Sequence, residues 1–222
     1  MINLTNLTFQ YHKGNQSTPT IDIPELHIRK DRKTMLSGKS GCGKTTLLNL
    51  ITGILPPDSG TIMIGDRDIS AMGDRARRLY RLNHIGYVLQ DFSLIPHLRI
   101  QDNIKVPFYI NPGFKFKPRH RDRMNDLLKR LDIEPLRKKY PPQLSVGEKQ
   151  RACLCRALAT GPELILADEP TANLDEENRD EVLRVLDEYI QSERATLVMV
   201  CHDTSIRDWF DDHISFQDIN RV

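Results

Sequence analysis

The segment GKSGCGKT, residues 38–45, leaves few choices of fold. It fits G-x-x-x-x-G-K-[ST], with the apolar run TMLS before it and the helix-forming run TLLNLITGIL after it. In a strand–turn–helix setting, such glycines let successive backbone N–H groups turn inward around a phosphate chain. Lys44 supplies a point charge for the β- and γ-phosphates, and Thr45 offers a hydroxyl to Mg²⁺. The candidate phosphate-binding residues are therefore Gly38, Lys39, Ser40, Gly41, Cys42, Gly43, Lys44, Thr45 and Thr46.

The pattern along the chain agrees with an α/β fold. LTFQY, TIDI, TIMIG and HIGYVLQ read as strands, and PPDSG reads as a turn. From about residue 91 to residue 158 the pattern becomes helical and irregular, with breaks at NPGFKFKP and YPP. ELILADEP and ATLVMVCHD read as buried strands. Between them, Val182, Val185, Leu186, Tyr189 and Ile190 fall on one helical face. Strands alternating with helices predict a parallel sheet covered on both faces.

LILADE carries the second chemical motif. A buried strand delivers Asp168 at its C-terminal end, where ligands of parallel sheets collect. Asp168 is expected to hold Mg²⁺ through a water, and Glu169 to orient and polarise the attacking water. Together these motifs imply nucleoside-triphosphate hydrolysis or transfer, and a small-molecule kinase would carry them too.

Composition narrows the remaining classes. The 222 residues suit one domain with room for a sub-domain, and a 39% apolar, 28% charged chain is globular. A net charge of +2 gives no reason to expect nucleic acid. The basic stretch FKFKPRHRDR reads as solvated surface, with an anionic lipid surface as the weaker alternative. The four cysteines form no disulfide or metal pattern, so reduced thiols are expected. No apolar run would span a bilayer, and MINLTNLTFQ does not resemble a signal peptide.

QLSVGEKQRA, residues 143–152, reads as a helix start: Ser145 and Glu148 form a capping box. Gly147 in that first turn is unfavourable for a helix, by about 1 kcal/mol against alanine. A close visitor to the backbone would explain it, and at a helix N-terminus the natural visitor is an anion.

The order of motifs resembles the ATP-binding cassette family over nearly the whole chain. After the phosphate loop come Gln90 in YVLQD, similar to the family's Q-loop, and LSVGEKQR, similar to its signature. LILADEP, TANLD and His202 in VCHD follow, placed like the Walker B strand, the D-loop and the switch histidine. Tyr11 is placed like the aromatic that stacks on adenine. The resemblance implies a RecA-like P-loop NTPase core with an antiparallel β sub-domain and an inserted α-helical sub-domain. It implies one cassette domain over residues 1–222, with the helical part at about 91–158. It also implies ATP and Mg²⁺, with Lys44, Gln90, Glu169 and His202 in catalysis and Thr45, Gln90 and Asp168 around the metal. Two copies would pair head to tail, so that Ser145, Val146, Gly147 and Glu148 of each face the other's nucleotide, with Asp175 in the D-loop. Here Val146 and Glu148 depart from the usual LSGGQ, while Gly147 is kept.

The compact length, DNIKVPF, LSVGE and TANLD resemble the lipoprotein-release, macrolide-export and cell-division group of cassettes. With Val222 following His202 by only twenty residues, the regulatory domain of sugar-import cassettes is not expected. The expectation is a cytoplasmic ATPase, peripheral on the inner face of the membrane, driving a separate permease in export or mechanotransmission. Apolar residues around 90–108, including Leu94, Ile95, Leu98 and Ile100, would form the permease groove. The alternatives are a regulatory cassette gating an extracytoplasmic enzyme without cargo, and a soluble non-transport cassette.

Overall fold

The computed structural model describes residues 1–13, 16–89, 93–172 and 174–222. In chain order the elements begin with β1 (Ile2–Lys13), β2 (Gln16–Ile28), β3 (Lys33–Ser37), α1 (Lys44–Ile51), β4 (Ser59–Ile64) and β5 (Arg67–Asp68). There follow α2 (Asp74–His84), β6 (Ile85–Val88), α3 (Ile100–Tyr109), α4 (Pro118–Arg130) and α5 (Val146–Leu158). The chain closes with β7 (Leu164–Asp168), α6 (Glu176–Glu193), β8 (Thr196–Val200), β9 (Asp212–Ser215) and α7 (Phe216–Ile219). It divides into two compact units, Met1–Arg81 with Thr196–Val222, and Leu82–Ala195.

The first unit holds an antiparallel sheet in the order β2-β1-β4-β5 and parallel strands in the order β8-β3-β9. On β1 the buried residues are Ile2 and Leu4, then Leu7 and Phe9. The alternation changes phase where the register with β4 shifts, between Thr5 and Thr8. Asn6 there has φ 49, and a Cβ on Gly60 would lie 2.3 Å from the Asn6 carbonyl oxygen. A bulge thus keeps both halves of the strand facing one core. β3 is buried through Thr34, Met35 and Leu36, and opens directly into the glycine loop. At the far end of α1, Arg81 Nη1 donates to the Thr52 carbonyl at 3.1 Å, a cation on a helix C-terminus.

The second unit pairs β6 and β7 in parallel, Ile85 opposite Leu164 through Val88 opposite Ala167. Gly86 has no space for a side chain: a Cβ would stand 2.7 Å from the Ala157 carbonyl oxygen and 2.8 Å from Pro162. That close approach brings α5 onto β6. Residues 93–158 fold into α3, α4 and α5 with two short 3-10 turns, in the stretch where the sequence pattern turns helical. α6 buries Val182, Val185, Leu186, Tyr189 and Ile190, the face read from the sequence, together with Leu183. Cys153, Cys155 and Cys201 are buried and in the reduced, thiol form, and burial raises the pKa of Cys155. No helix among the described residues is long and apolar enough to cross a membrane.

Candidate functional site

The phosphate loop is built between β3 and α1. Gly41 and Gly43 have φ 76 and 111, in the left-handed region that favours glycine. At Gly43 space is also short, because a Cβ would meet the Thr20 carbonyl oxygen at 3.1 Å and the Phe216 ring at 3.2 Å. Gly43 is the N-cap of α1, with no side-chain capping bond and no acidic residue in the first turn. The positive end of the helix is thus not offset by an acidic side chain of its own first turn. Lys44 is 6% exposed, and its Nζ donates to the carbonyls of Gly38 at 2.8 Å and Lys39 at 2.7 Å. The Cys42 Sγ is 3.8 Å from the same ammonium. Lys44 is therefore held inside the loop among carbonyl dipoles, a charge poised for an anionic ligand.

Tyr11 and Thr46 come together in the first unit: the phenol oxygen lies 3.3 Å from Thr46 Oγ1. Phe9 meets the Tyr11 ring edge-on at 4.9 Å, and the ring stays 43% exposed. An aromatic surface is thus anchored to the helix that follows the phosphate loop. His202 follows β8, which pairs with β3, and is exposed. Lys39, Ser40 and Thr45 are exposed as well. Phe216, only 1% exposed, lies under Gly38 and Gly43. Sequence reasoning missed it, since a single aromatic in a short terminal segment carries no periodicity.

In the second unit, β7 ends in Asp168, 3% exposed. Glu169 follows with φ 51, a left-handed conformation for a non-glycine residue. The amide of Gln150, on α5, reaches this turn and donates to the carbonyls of Glu169 at 3.5 Å and of Pro170. Gln150 was not among the residues expected to matter. The available signal was a polar amide on the helix face of Cys153, Leu154 and Ala157, at i, i+3, i+4 and i+7, all of them buried.

The capping box at α5 is formed. Glu148 N–H donates to Ser145 Oγ at 3.2 Å, and Ser145 N–H donates to Glu148 Oε2 at 2.7 Å. Ser145 is exposed and Val146 is 48% exposed, so this helix N-terminus faces outward. Gly147 has an intramolecular neighbour: a Cβ there would stand 3.0 Å from Leu174 Cδ2. Asp175 caps α6, accepting from Asn178 N–H at 2.9 Å and from the Asn178 amide at 2.8 and 2.9 Å. Those hydrogen bonds lower its pKa. Arg151 ties the two helices together through Asn178 Oδ1.

Gln90, expected near the metal and the attacking water, lies outside the described residues. The donors expected for Mg²⁺ that are described, Thr45 hydroxyl and Asp168 carboxylate, are oxygens. They fit a hard cation that keeps waters and phosphate oxygens in its shell.

Comparison with known proteins agrees with these features. The family model described as "ABC transporter" matches residues 21–172. The chain is 36% identical over 195 residues to the ABC transporter ATP-binding protein YtrE of Bacillus subtilis (strain 168), covering 87% of this chain and 84% of that protein. It is 33% identical over 206 residues to the lipoprotein-releasing system ATP-binding protein LolD of Chromohalobacter salexigens, covering 93% and 86%. Among solved structures, the ATP-binding cassette MJ0796, dimeric in a post-hydrolysis state with ADP and Pi, superposes with a TM-score of 0.90 at 30% identity. That match covers 98% of this chain and 95% of the other.

Proposed function

Because the chain belongs to the ABC transporter family as one of its ATPase cassettes, we propose that it dimerises around two ATP and drives a separate membrane permease. Export or mechanical work across the membrane, as in the lipoprotein-release group, is the form of that work. The chain would act as one cassette over residues 1–222, with about 91–158 as its helical insertion. It would sit at the inner face of the membrane through the permease.

Adenine stacks on Tyr11, and the N–H groups of residues 38–46 with Lys44 hold the β- and γ-phosphates. Thr45, Gln90 and Asp168 are the residues that would hold Mg²⁺, Asp168 through a water. When bound, the ion neutralises phosphate charge. Glu169, as the base, and His202 position the attacking water for the γ-phosphate. Ser145, Gly147 and the following N–H groups of a second copy close over that phosphate, beside Val146, Glu148 and Asp175.

The observation that carries this reading is the outward-facing N-terminus of α5, with exposed Ser145 and Val146. The dimeric state of the MJ0796 cassette supports it. The test is affinity purification of Glu169→Gln, with ATP and Mg²⁺, from detergent-solubilised membranes. A co-purifying permease with few spans and a large external domain is expected. A many-span permease would overturn the branch, an external enzyme in the complex would turn the reading to cargo-free gating, and a soluble partner would overturn the transport role.

A further inference from the structure

The turn after Asp168 is conformationally costly. Glu169 adopts φ 51, which costs a non-glycine residue about 1 kcal/mol or more. It also precedes Pro170, and a residue before proline is pushed toward extended backbone. Two local preferences therefore oppose the conformation that aims Glu169, and something in the surroundings must hold it.

Gln150 is placed to do so. It is 2% exposed, and its Nε2 donates to the carbonyls of both Glu169 and Pro170. The flipped amide would point Oε1 at two carbonyl oxygens, so the bonding pattern fixes the amide orientation. A buried amide that clasps both carbonyls of a disfavoured turn resists its relaxation toward extended backbone. The same helix begins at Ser145, touches Leu174 at Gly147 and reaches Asn178 through Arg151. One helix thus runs from an exposed N-terminus at Ser145 to the backbone of the turn that follows β7.

We propose that Gln150 is a positioning residue for hydrolysis: its amide holds the Glu169–Pro170 turn, and through α5 the aim of Glu169 is tied to what Ser145 and Gly147 contact. This rests on the reading of Glu169 as the base and of α5 as the signature helix.

The test compares steady-state ATP hydrolysis, nucleotide binding by a fluorescent ATP analogue, and thermal melting for Gln150→Met, Gln150→Glu and Glu169→Gln. Gln150→Met keeps length and volume but loses the donor. Its kcat is expected to fall by about 10- to 100-fold, the scale of a misaimed catalytic group, with nucleotide affinity unchanged and only a small fall in melting temperature from the two carbonyls left without a donor. Gln150→Glu sets a carboxylate against two carbonyls at neutral pH and regains an O–H donor when protonated. Its kcat relative to wild type is expected to rise as pH falls from about 8 to about 6. That ratio still reads the amide's role where Gln150→Met does not fold.

Wild-type kcat in Gln150→Met overturns the proposal, and so does a flat pH ratio in Gln150→Glu. Parallel loss of affinity, melting temperature and activity in both Gln150 variants would make the residue a packing element only. Normal turnover in Glu169→Gln refutes the base assignment and the proposal with it. Lost turnover there beside normal turnover in Gln150→Met overturns the positioning role alone.

Discussion

Gly43 and Gly147 both border surfaces that meet phosphate in the proposed cycle, yet their local constraints differ. Gly43 has φ 111 and a backbone oxygen 3.1 Å from where a Cβ would be, so a side chain there is strained and crowded by atoms that cannot turn away. Gly147 is not among the positive-φ residues, and its near neighbour is the end of a Leu174 side chain, which can change rotamer. Gly43→Ala is expected to lower the melting temperature and abolish ATP binding. Gly147→Ala is expected to keep the melting temperature, since up to about 1 kcal/mol of helix propensity offsets the shift of Leu174. It should weaken ATP-dependent dimerisation, because the Cβ stands where the partner's phosphate approaches. Thermal melting and light scattering with ATP check both variants. Equal melting losses in the two would mean that Gly147 serves Leu174 and not an anion. Phe216, which lies beneath Gly38 and Gly43, gives a third test. Phe216→Ala should cost about 3–5 kcal/mol of stability, the usual range for an emptied aromatic site, and loosen ATP binding with it.

α4 carries a charge-sensitive packing of its own. His120 is 2% exposed and stacks on Phe114 at 5.1 Å, with Phe108 at 5.0 Å. Nδ1 accepts the Lys117 N–H at 3.0 Å, and Arg119 Nε lies 3.1 Å from Nε2. Burial, then Arg119, Arg123 and Lys117, lower its pKa, against a carbonyl of Lys115 that raises it. The unfolded chain therefore takes up a proton here at a higher pH than the folded one. The stabilisation is full above the unfolded pKa of about 6.5 and declines as pH falls below it toward the lowered folded value. His120→Phe is expected to flatten the fall in melting temperature between about pH 7 and about pH 5.5. An unchanged slope would place that pH dependence elsewhere. This element also marks where the sequence stops being legible. α5 and α6 announce themselves by a capping box and an apolar face, and β7 and β8 by continuous apolar runs. α2 buries no residue and is dominated by arginine, so its short apolar face of Ala76, Leu79 and Tyr80 reads as surface. β9 is four residues long and is defined by pairing with β3, which is a tertiary event. Of the candidate site, the glycine turn before α1, the place of Asp168 at the end of β7 and the Ser145–Glu148 cap were readable because each is set by near neighbours. The left-handed Glu169 and its clasp by Gln150 were not, since they join residues 19 and 20 positions apart.

For the molecule as a whole, Glu148 is where this chain's own sequence bears on assembly. Its carboxylate already accepts the Ser145 N–H at 2.7 Å, so α5 carries an internal anion at the terminus that a partner's phosphate would approach. Closure of two copies then brings two like charges to one helix end, or turns Glu148 away and leaves a donor for the phosphate. Glutamine serves a capping box as well as glutamate does, so Glu148→Gln removes the charge and leaves the helix start intact. In a Glu169→Gln background, where ATP is held without turnover, Glu148→Gln is expected to lower the ATP concentration at half-dimerisation. A shift of about fivefold corresponds to about 1 kcal/mol of relieved repulsion. The difference should shrink as salt rises, because Glu148 lies at a solvent-facing helix end and its field is screened. Dimerisation followed by light scattering across ATP and salt titrations decides it. An unchanged midpoint would mean that Glu148 swings clear at no cost. A salt-independent shift would mean that shape at the helix end, and not charge, distinguishes this signature.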